Sequence, residues 1–365
     1  MTFIPRSVVA GVALSALILA GCASEPEMVE DAVIEIVEEE EVVEVAIPRH
    51  PLTGFELGSS VVSGPSIAIK IDNTASGRPQ MGIAAADMVF EELVEGGVTR
   101  YLAVFHTAIP DEVGPVRSGR PQDADLVRSL GGVFVFSGVG NSNVREIIRG
   151  TGLHLVEHDT SGGTPDGEYF FRSSRKPAPW NLHISALDLS NAYSTLESPV
   201  EQFEYSTDPS QASASLLGDD ARSLQVGFSK GVDSRWEWDE ASGTYLKFLA
   251  NGSPDTDADG TQISATNVVV LTPNYFDVEG LPSAKIAGTL ESAFVFTGGK
   301  VLSGLFDASV LGDPIKLTHG EDEPVLLAPG KTFILLPPGA GSTAGGVTPG
   351  FVAYESNGET VTRNI

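Results

Sequence analysis

A single cysteine, Cys22, restricts how this 365-residue chain can be stabilised. It ends Leu19-Ala20-Gly21-Cys22, behind a run of thirteen apolar or small residues from Val8 to Ala20 that follows Arg6. This pattern is typical of a bacterial lipoprotein signal, and the run is shorter than the roughly 20 residues of a membrane-spanning helix. An ordinary secretory signal with a coincidental cysteine is the alternative. Lipidation would use the only thiol, so disulfides, thiolate zinc sites and cysteine nucleophiles are excluded.

The segment after this cysteine is strongly acidic. Residues 25–49 contain ten acidic residues and one basic residue, and Glu38–Glu41 form an uninterrupted run. Mutual repulsion of these charges favours a solvated chain, so we predict a signal peptide over residues 1–21 and a flexible tether over residues 22–50. The alternative is a short amphipathic helix through Val29, Val33, Ile36 and Val37.

The rest of the chain is acidic too. Of the net charge of −27, residues 25–49 carry −9 and Arg6 carries +1, which leaves −19 on the body from His50 onward. Such a surface is repelled by phosphate backbones and by anionic lipid headgroups. We therefore expect no nucleic-acid partner. We expect an extracytoplasmic protein whose contact with the cell membrane is the lipid on Cys22.

The body is long enough to form two domains. With 41% hydrophobic residues, the more than 300 residues after the tether can bury a sizeable core. Strand-like and helix-like segments alternate before a Ser/Ala-rich interruption, and short strands dominate after it. We predict an α+β fold: a mixed α/β domain over residues 51–200, a linker over 201–222, and a mostly β domain, sandwich or barrel-like, over 223–354.

The clearest local pattern is a β-hairpin. Asp87–Glu95 and Val98–His106 are both rich in β-forming residues, and Gly96-Gly97 between them is typical of a two-residue loop. In that register Leu93 lies opposite Arg100.

Two glutamates of this hairpin are candidate acid–base groups. The predicted register puts Glu91 and Glu95 on the face of Arg100, whereas Glu92 stands on an otherwise apolar face near Tyr101. A carboxylate in such surroundings has a raised pKa, which suits proton transfer. The alternative for Glu92 is a hydrogen bond to Tyr101 or to the backbone.

An arginine-rich loop follows in Gly114–Arg128. Pro121 suits the first turn of a helix, so Arg117, Ser118 and Arg120 lie in the loop that enters it. Backbone amides and two guanidinium groups there suit a carboxylate or phosphate. The alternative is that these arginines pair with the protein's own carboxylates. Basic residues are scarce, numbering 22, yet six arginines fall in one stretch: Arg100, Arg117, Arg120, Arg128, Arg145 and Arg149.

The next segments predict further elements and a second basic loop. Residues 132–138 predict a strand and Asn141–Arg149 a helix, without the glycine spacing of a dinucleotide site.

The loop of residues 172–183 combines cations and prolines with aromatic and amide groups, as binding clefts often do. The alternative is that the prolines and Trp180 only pack this loop onto the core. Its candidate residues are Arg175, Trp180, Asn181 and His183.

Several of these motifs resemble the YerB-like family of bacterial lipoproteins. The motifs are Arg78-Pro79-Gln80, Glu91–Arg100, Gly114–Pro121, Arg175-Lys176 with Asn181-Leu182, Asn267–Val270 and Pro329–Thr332. The resemblance covers nearly everything after the tether. It implies a two-domain, membrane-anchored extracytoplasmic protein, in a family without established catalytic residues. Trp180 and Pro254-Asp255 depart from histidines that are common in relatives, so a mechanism that needs those histidines is in doubt here.

Metal and cofactor sites are not predicted. Leu153–Glu157 reads as a strand, which would hold His154 and His158 too far apart to share zinc. Asp255, Asp257 and Asp259 resemble the start of a calcium loop, but Thr266 occupies the position that needs a bidentate glutamate. Calcium at this loop stays open, with a solvated hairpin loop as the alternative.

Two function classes follow from these residues. The favoured one is a noncatalytic envelope protein that binds an anionic small ligand, a cell-wall fragment or a protein partner. The alternative is a cell-envelope hydrolase with Glu91 or Glu92 as acid/base and Arg100, Arg117 and Arg120 holding substrate anions. The full set of predicted ligand-binding residues is Arg78, Arg100, Arg117, Ser118, Arg120, Arg175, Trp180, Asn181 and His183.

Overall fold

A computed structural model describes residues 48–57, 63–158 and 165–365 of the chain. The predicted signal peptide, Cys22 and the predicted tether up to residue 47 lie outside the described residues. Among the described helices, none combines the length and apolar character needed to cross a membrane.

Eight strands and four short helices fall within the described residues 63–158 and 165–217. The strands are β1 (Ile67–Asp72), β2 (Met88–Leu93), β3 (Thr99–Phe105), β4 (Glu112–Val113), β5 (Val133–Phe136), β6 (His154–Glu157), β7 (Phe170–Arg172) and β8 (Leu182–Ser185). The helices are α1 (Asp123–Arg128), α2 (Ser142–Arg149), α3 (Ala186–Ala192) and α4 (Ser213–Leu217). Short 3-10 turns cover Ile83–Ala85, Glu95–Gly97, Pro165–Tyr169 and Pro209–Gln211.

The remainder of the described chain is built from strands. They are β9 (Asp219–Asp220), β10 (Ser223–Ser229), β11 (Val232–Asp239), β12 (Thr244–Phe248), β13 (Ser264–Ala265), β14 (Asn267–Leu271), β15 (Tyr275–Val278), β16 (Leu281–Ala284), β17 (Leu290–Thr297), β18 (Lys300–Asp307), β19 (Lys316–His319), β20 (Glu323–Pro324), β21 (Thr332–Leu336), β22 (Phe351–Ser356) and β23 (Glu359–Asn364). The predicted α+β class with a β-rich C-terminal part is confirmed.

The described residues form two large sheets and two small ones, the small ones being β4-β8-β7 and β15-β16. A twelve-stranded central sheet has the order β20-β19-β18-β17-β14-β21-β2-β3-β1-β5-β6, with β9 paired to β18. A six-stranded second sheet has the order β13-β12-β11-β10-β22-β23. The central sheet draws strands from both sides of residues 201–222, which hold a 3-10 turn, α4 and β9. The division of the chain into separate domains stays a prediction.

Two groups of three parallel strands in the central sheet run in the same direction. β1 is parallel to β5 and β5 to β6, while β2 is parallel to β21 and β21 to β14. β3 is antiparallel to both β1 and β2, which aligns the two parallel groups. The carboxyl ends of these six strands therefore lie along one edge of the sheet, which we call the carboxyl edge.

Apolar side chains cover both faces of the central sheet. On one face, aromatic rings join it to the second sheet: Trp236 lies 4.8 Å from Phe333, and Tyr245 lies 6.3 Å from Phe296, between ring centroids. On the other face, α1 and α2 bury Leu126, Val127, Val144 and Ile148. Burial on both faces explains why β2 is buried along its whole length.

Most local predictions for the N-terminal part agree with the structure. The helix predicted after Pro121 spans Asp123–Arg128, and the helix predicted at Asn141 begins with that side chain accepting hydrogen bonds from Asn143 N and Val144 N. The predicted strand around Leu153–Glu157 is β6. Each element carries its own start or stop signal, so neighbouring residues were enough to locate it.

The predicted register of the hairpin is wrong by one residue. Arg100 lies opposite Glu92 rather than Leu93, and Tyr101 lies opposite Glu91. The connection is a 3-10 turn over Glu95–Gly97, closed by Val94 N donating to Val98 O at 2.9 Å. Three residues therefore form the loop instead of two, and the shift exchanges the neighbours of the two glutamates.

Candidate functional site

The segment of residues 115–119 fills a gap at the carboxyl edge, between the ends of β1 and β5. Val116 forms a bridge with Ile71, and Gly119 forms one with Val139. Arg117 links the two sides, because its N–H donates to Lys70 O at 2.9 Å and its carbonyl accepts from Ser137 N at 2.8 Å. Ligands of α/β sheets commonly bind beyond the carboxyl ends of parallel strands. The inserted segment places Arg117 and Ser118 at that position.

Asp72, the last residue of β1, orients the Arg117 side chain. One carboxylate oxygen, Oδ1, accepts hydrogen bonds from Thr74 N and Thr74 Oγ1, both at 2.6 Å. The other, Oδ2, lies 2.6 Å from Arg117 Nε. A Cβ at Gly77 would lie 2.5 Å from Asp72 Oδ1, so glycine is needed for this close approach.

Arg117 keeps the outer part of its guanidinium group available. Its side chain is 25% exposed, and its two Nη groups make no hydrogen bond or ion pair within the described residues. The contact of Nε with Asp72 is an ion pair without hydrogen-bond geometry, so it restrains the guanidinium through charge. The two Nη groups remain as parallel N–H donors, which match the two oxygens of a carboxylate or phosphate.

A second guanidinium is oriented in the same way by an amide. Arg78 Nε donates to Asn73 Oδ1 at 2.9 Å, and Gln80 Nε2 donates to the same oxygen at 3.1 Å. The Nη groups of Arg78 make no bond to any described residue, and the side chain is partly exposed. Asn73 thus positions a second pair of outward donors next to Asp72.

Lys176 ties the second basic loop to this region. Its Nζ donates to Gly77 O at 2.5 Å and to Pro79 O at 2.8 Å, and its burial lowers the pKa of its ammonium group. We call the surface formed by Asp72, Arg78, Arg117, Ser118 and Lys176 the arginine crevice.

Arg100 and Arg120 lie beside the crevice but have their donors occupied. Arg120 Nε donates to Glu95 Oε2 at 2.7 Å, its Nη2 also bonds Glu95 Oε1, and its Nη1 donates to Gly119 O at 2.8 Å. Arg100 Nη1 donates to Ser118 O at 2.9 Å, and its Nη2 lies 3.4 Å from Glu95 Oε1. Burial opposes the charged form of Glu95, but Arg120, helped by Arg100, outweighs it and lowers the Glu95 pKa to about 2. These two arginines hold the backbone of the inserted segment in place.

Glu92 lies in the core on the α1 side of the central sheet. It is 0% exposed and pairs with Lys70 Nζ, which also lies 2.8 Å from Asp123 Oδ1. Asp123 Oδ2 in turn accepts from Arg120 N at 2.6 Å. The cluster links the end of β2 to β1 and α1.

Glu91 lies in the core on the opposite face and is 1% exposed. Its Oε1 accepts from Asn73 Nδ2 at 3.0 Å and from Thr99 Oγ1 at 2.9 Å, and its Oε2 lies 3.8 Å from Lys247 Nζ of the second sheet. An acid–base group must touch its substrate. The burial of both glutamates does not favour their predicted acid–base roles.

The predicted binding residues of the second basic loop make internal contacts. Arg175 Nη1 and His183 Nδ1 both approach Glu112 Oε1, at 2.6 Å and 2.8 Å, and burial lowers the pKa of His183. Asn181 Oδ1 accepts a hydrogen bond from Arg172 at 2.9 Å, and Trp180 is partly buried. Ligand binding by Arg175, Trp180, Asn181 and His183 stays a prediction.

Sequence reasoning did not select Asp72, Asn73 or Lys176. The polar pair Asp72-Asn73 at the end of the apolar strand β1 was an available signal, because functional groups often lie at the carboxyl ends of parallel strands. Lys176 had no signal that separated it from its basic neighbours.

The aspartates of the calcium-like loop have partners within the protein, two of them outside the loop. Asp255 Oδ2 lies 3.3 Å from Lys247 Nζ, Asp257 accepts from Ala84 N at 2.7 Å, and Asp259 accepts from Thr261 N at 2.8 Å. Residues 48–57, 63–158 and 165–365 contain no group of three or more acidic, histidine or cysteine side chains suited to a metal ion. His154 packs on Tyr193, and His158 packs on Phe170.

Two family matches cover most of the described chain. Residues 52–199 match the N-terminal domain, and residues 224–334 the C-terminal domain, of a protein family of unknown function, DUF3048.

One curated relative and one solved structure are similar over most of their length. The chain is 26% identical over 307 residues to "Putative lipoprotein YerB" of Bacillus subtilis (strain 168), which covers 80% of this chain and 86% of that protein. The crystal structure of YerB protein from Bacillus subtilis matches with a TM-score of 0.67 at 22% identity, over 80% of this chain and 97% of the other. The structural match shows the shared fold.

Proposed function

Since the chain belongs to the DUF3048 family, we propose that it is a lipid-anchored protein of the cell envelope that binds an anionic ligand in the arginine crevice. The anchor rests on the Leu-Ala-Gly-Cys motif at Cys22 and on the lipoprotein name of the Bacillus subtilis relative. Incorporation of labelled palmitate tests this part. Wild type should take up the label and Cys22→Ser should not, while equal labelling of both would contradict a lipid on this cysteine.

The observation that carries the ligand proposal is the arrangement of Arg117. Its Nε forms an ion pair with the buried carboxylate of Asp72, at 2.6 Å, while both Nη groups remain without a partner in the described chain. A side chain already held in one position loses little conformational entropy when a ligand binds. Arg78, held by Asn73, adds a second pair of donors.

The charges around the crevice favour an anion. Arg117 pairs with Asp72, Arg78 donates to the neighbouring Asn73, and Lys176 donates to nearby backbone carbonyls, on a body whose net charge from His50 onward is −19. A local positive region on an acidic protein attracts anions to one place and repels them elsewhere. A ligand with an exposed carboxylate or phosphate group fits this arrangement.

The hydrolase alternative has less support from the geometry. Its proposed acid–base residues, Glu91 and Glu92, are buried at 1% and 0% exposure and are paired with lysines. Arg100 and Arg120, which would hold substrate anions, use their donors on Glu95 and on backbone carbonyls. We therefore propose binding rather than catalysis.

A thermal-shift titration of the full-length chain tests the crevice. Sodium phosphate and sodium acetate are the probes, at constant ionic strength with sodium chloride as the reference, because a ligand that binds only the folded state raises Tm. Wild type should show a saturable rise in Tm with one or both probes, and Arg117→Gln should lose it.

Arg222→Gln is the matched control, since Arg222 is 66% exposed and its ion pair is with the exposed Glu240. It should keep the wild-type rise. The proposal fails if neither probe raises Tm in wild type, or if Arg117→Gln responds as strongly as wild type does.

A further inference from the structure

A wide, open depression, which we call the Trp238 cavity, lies at the margin where the two sheets meet, away from the arginine crevice. It has a volume of about 520 Å³ and is lined by Trp238 together with five hydroxyl side chains: Ser210, Ser215, Ser242, Thr244 and Thr266. Two prolines and two glycines complete the lining, and none of the lining side chains carries a charge. In a chain with 49 acidic residues, this lining offers a ligand no charged side chain, and the nearby carboxylates of Asp208 and Asp239 bond Ser210 and Ser242.

The indole ring of Trp238 lines this cavity and is held in position by its neighbours. Its ring packs against Tyr245 at 5.2 Å between centroids and 60° between planes, and its backbone N–H donates to Arg222 O at 2.7 Å. On its other side, a Cβ at Gly299 would lie 2.9 Å from Trp238 Cδ1, so the bare glycine lets the indole sit where it does. The side chain is only partly buried, so part of the indole remains open to the cavity.

The polar groups around the indole can both donate and accept hydrogen bonds. Trp238 Nε1 and Thr266 Oγ1 make no hydrogen bond within the described part of the chain. Ser242 Oγ and Thr244 Oγ1 bond each other at 2.8 Å, and Ser215 Oγ donates to Pro209 O at 2.8 Å, which leaves further lone pairs on each hydroxyl. These groups come from separate segments of the chain that the fold brings together.

We infer that this cavity binds a neutral saccharide. The negative face of an indole attracts the polarised C–H bonds on one face of a sugar ring. Serine and threonine hydroxyls match the mixed donors and acceptors of sugar hydroxyl groups. An anion or a cation would gain no charge partner in the cavity, whereas an uncharged polar ligand leaves no buried charge unpaired. A mostly preformed concave site with a few polar groups is the usual form of a small-ligand site.

Titration of the full-length chain with the β-1,4-linked tetramer of N-acetylglucosamine, followed by tryptophan fluorescence and calorimetry, tests this inference. The chain is kept in a detergent without a sugar headgroup, and cellotetraose and maltotetraose are run in parallel. We expect saturable binding of at least one neutral tetrasaccharide. Trp238→Ala should weaken it by about tenfold or more, because the stacking surface is lost.

Two further variants separate binding from folding. Ser210→Trp fills the cavity from an exposed rim position without removing a buried contact, and it should abolish binding while the far-ultraviolet circular dichroism spectrum and the urea unfolding midpoint stay unchanged. Phe276→Ala removes another partly exposed aromatic ring outside the cavity and should bind as wild type does. The inference is overturned if no neutral tetrasaccharide binds, or if both Trp238→Ala and Ser210→Trp bind with wild-type affinity.

Discussion

Glu91 and Glu92 are adjacent residues of one strand, yet they belong to opposite halves of the core. Because side chains alternate along a strand, Glu92 points toward α1 and Glu91 toward the second sheet. Glu92 pairs with Lys70, two strands away in the same sheet, whereas Glu91 approaches Lys247, which lies in the other sheet. One ion cluster holds the N-terminal segments together, and the other joins the two sheets.

The two clusters also differ in how their carboxylates are satisfied. Glu91 has two neutral donors, Asn73 and Thr99, besides its lysine. Glu92 has only Lys70 as a partner among the described residues, and Lys70 also serves Asp123. Loss of a buried cation is most costly where no other donor remains. Two equally buried glutamates therefore depend on their lysines to different degrees, while Lys247 also neutralises the buried Asp255.

Lys70→Met should have the largest effect on stability. It leaves Glu92 and Asp123 buried without their cation, so we expect the free energy of unfolding to fall by about 3–5 kcal/mol. Urea unfolding followed by circular dichroism measures this. Lys300→Met, at a partly exposed lysine that pairs with the exposed Asp220, is the control and should change stability by less than about 0.5 kcal/mol. A loss no larger than that of the control would contradict the assignment of Lys70.

Lys247→Met should lower the free energy of unfolding by about 2–4 kcal/mol. Glu91 keeps its bonds to Asn73 and Thr99, but the buried Asp255, whose Oδ2 lies 3.3 Å from Lys247 Nζ, loses its cation. The variant also loses the contacts of Nζ with the rings of Tyr101 and Trp236, at 5.8 Å and 5.6 Å. Adding Glu91→Gln should recover about 1 kcal/mol, since it removes one uncompensated charge. The same unfolding measurement decides the order: a loss larger than that of Lys70→Met would reverse the comparison.

Local sequence patterns predicted much of the fold around the site. The helix after Pro121, the helix capped by Asn141 and the strand β6 each depend on residues within about one turn or one strand length. The hairpin was placed correctly, but its register was not, because the conformation of Glu95–Gly97 decides how many residues form the loop.

The candidate site was predicted in part. Grouping of scarce arginines pointed to the segment around Arg117, but it could not tell which arginines have free donors. Arg100 and Arg120 are occupied by Glu95, which sits beside them only because the turn brings it there. Arg117 keeps its Nη groups because Asp72 holds it through Nε. These differences depend on distances between segments that are separated in the chain.

The sequence by itself determined the acidic balance of the chain, its single cysteine and most of its local elements, since these follow from composition and from neighbouring residues. Tertiary structure alone decided that β2 pairs with β21, with Met88 beside Thr332, and that residues 115–119 enter the gap between β1 and β5. Pairing between distant strands depends on the whole core, because each strand accepts the partner that buries its apolar faces and satisfies its backbone. That same long-range pairing placed Arg117 at the carboxyl edge and the neutral Trp238 cavity at the margin of the two sheets.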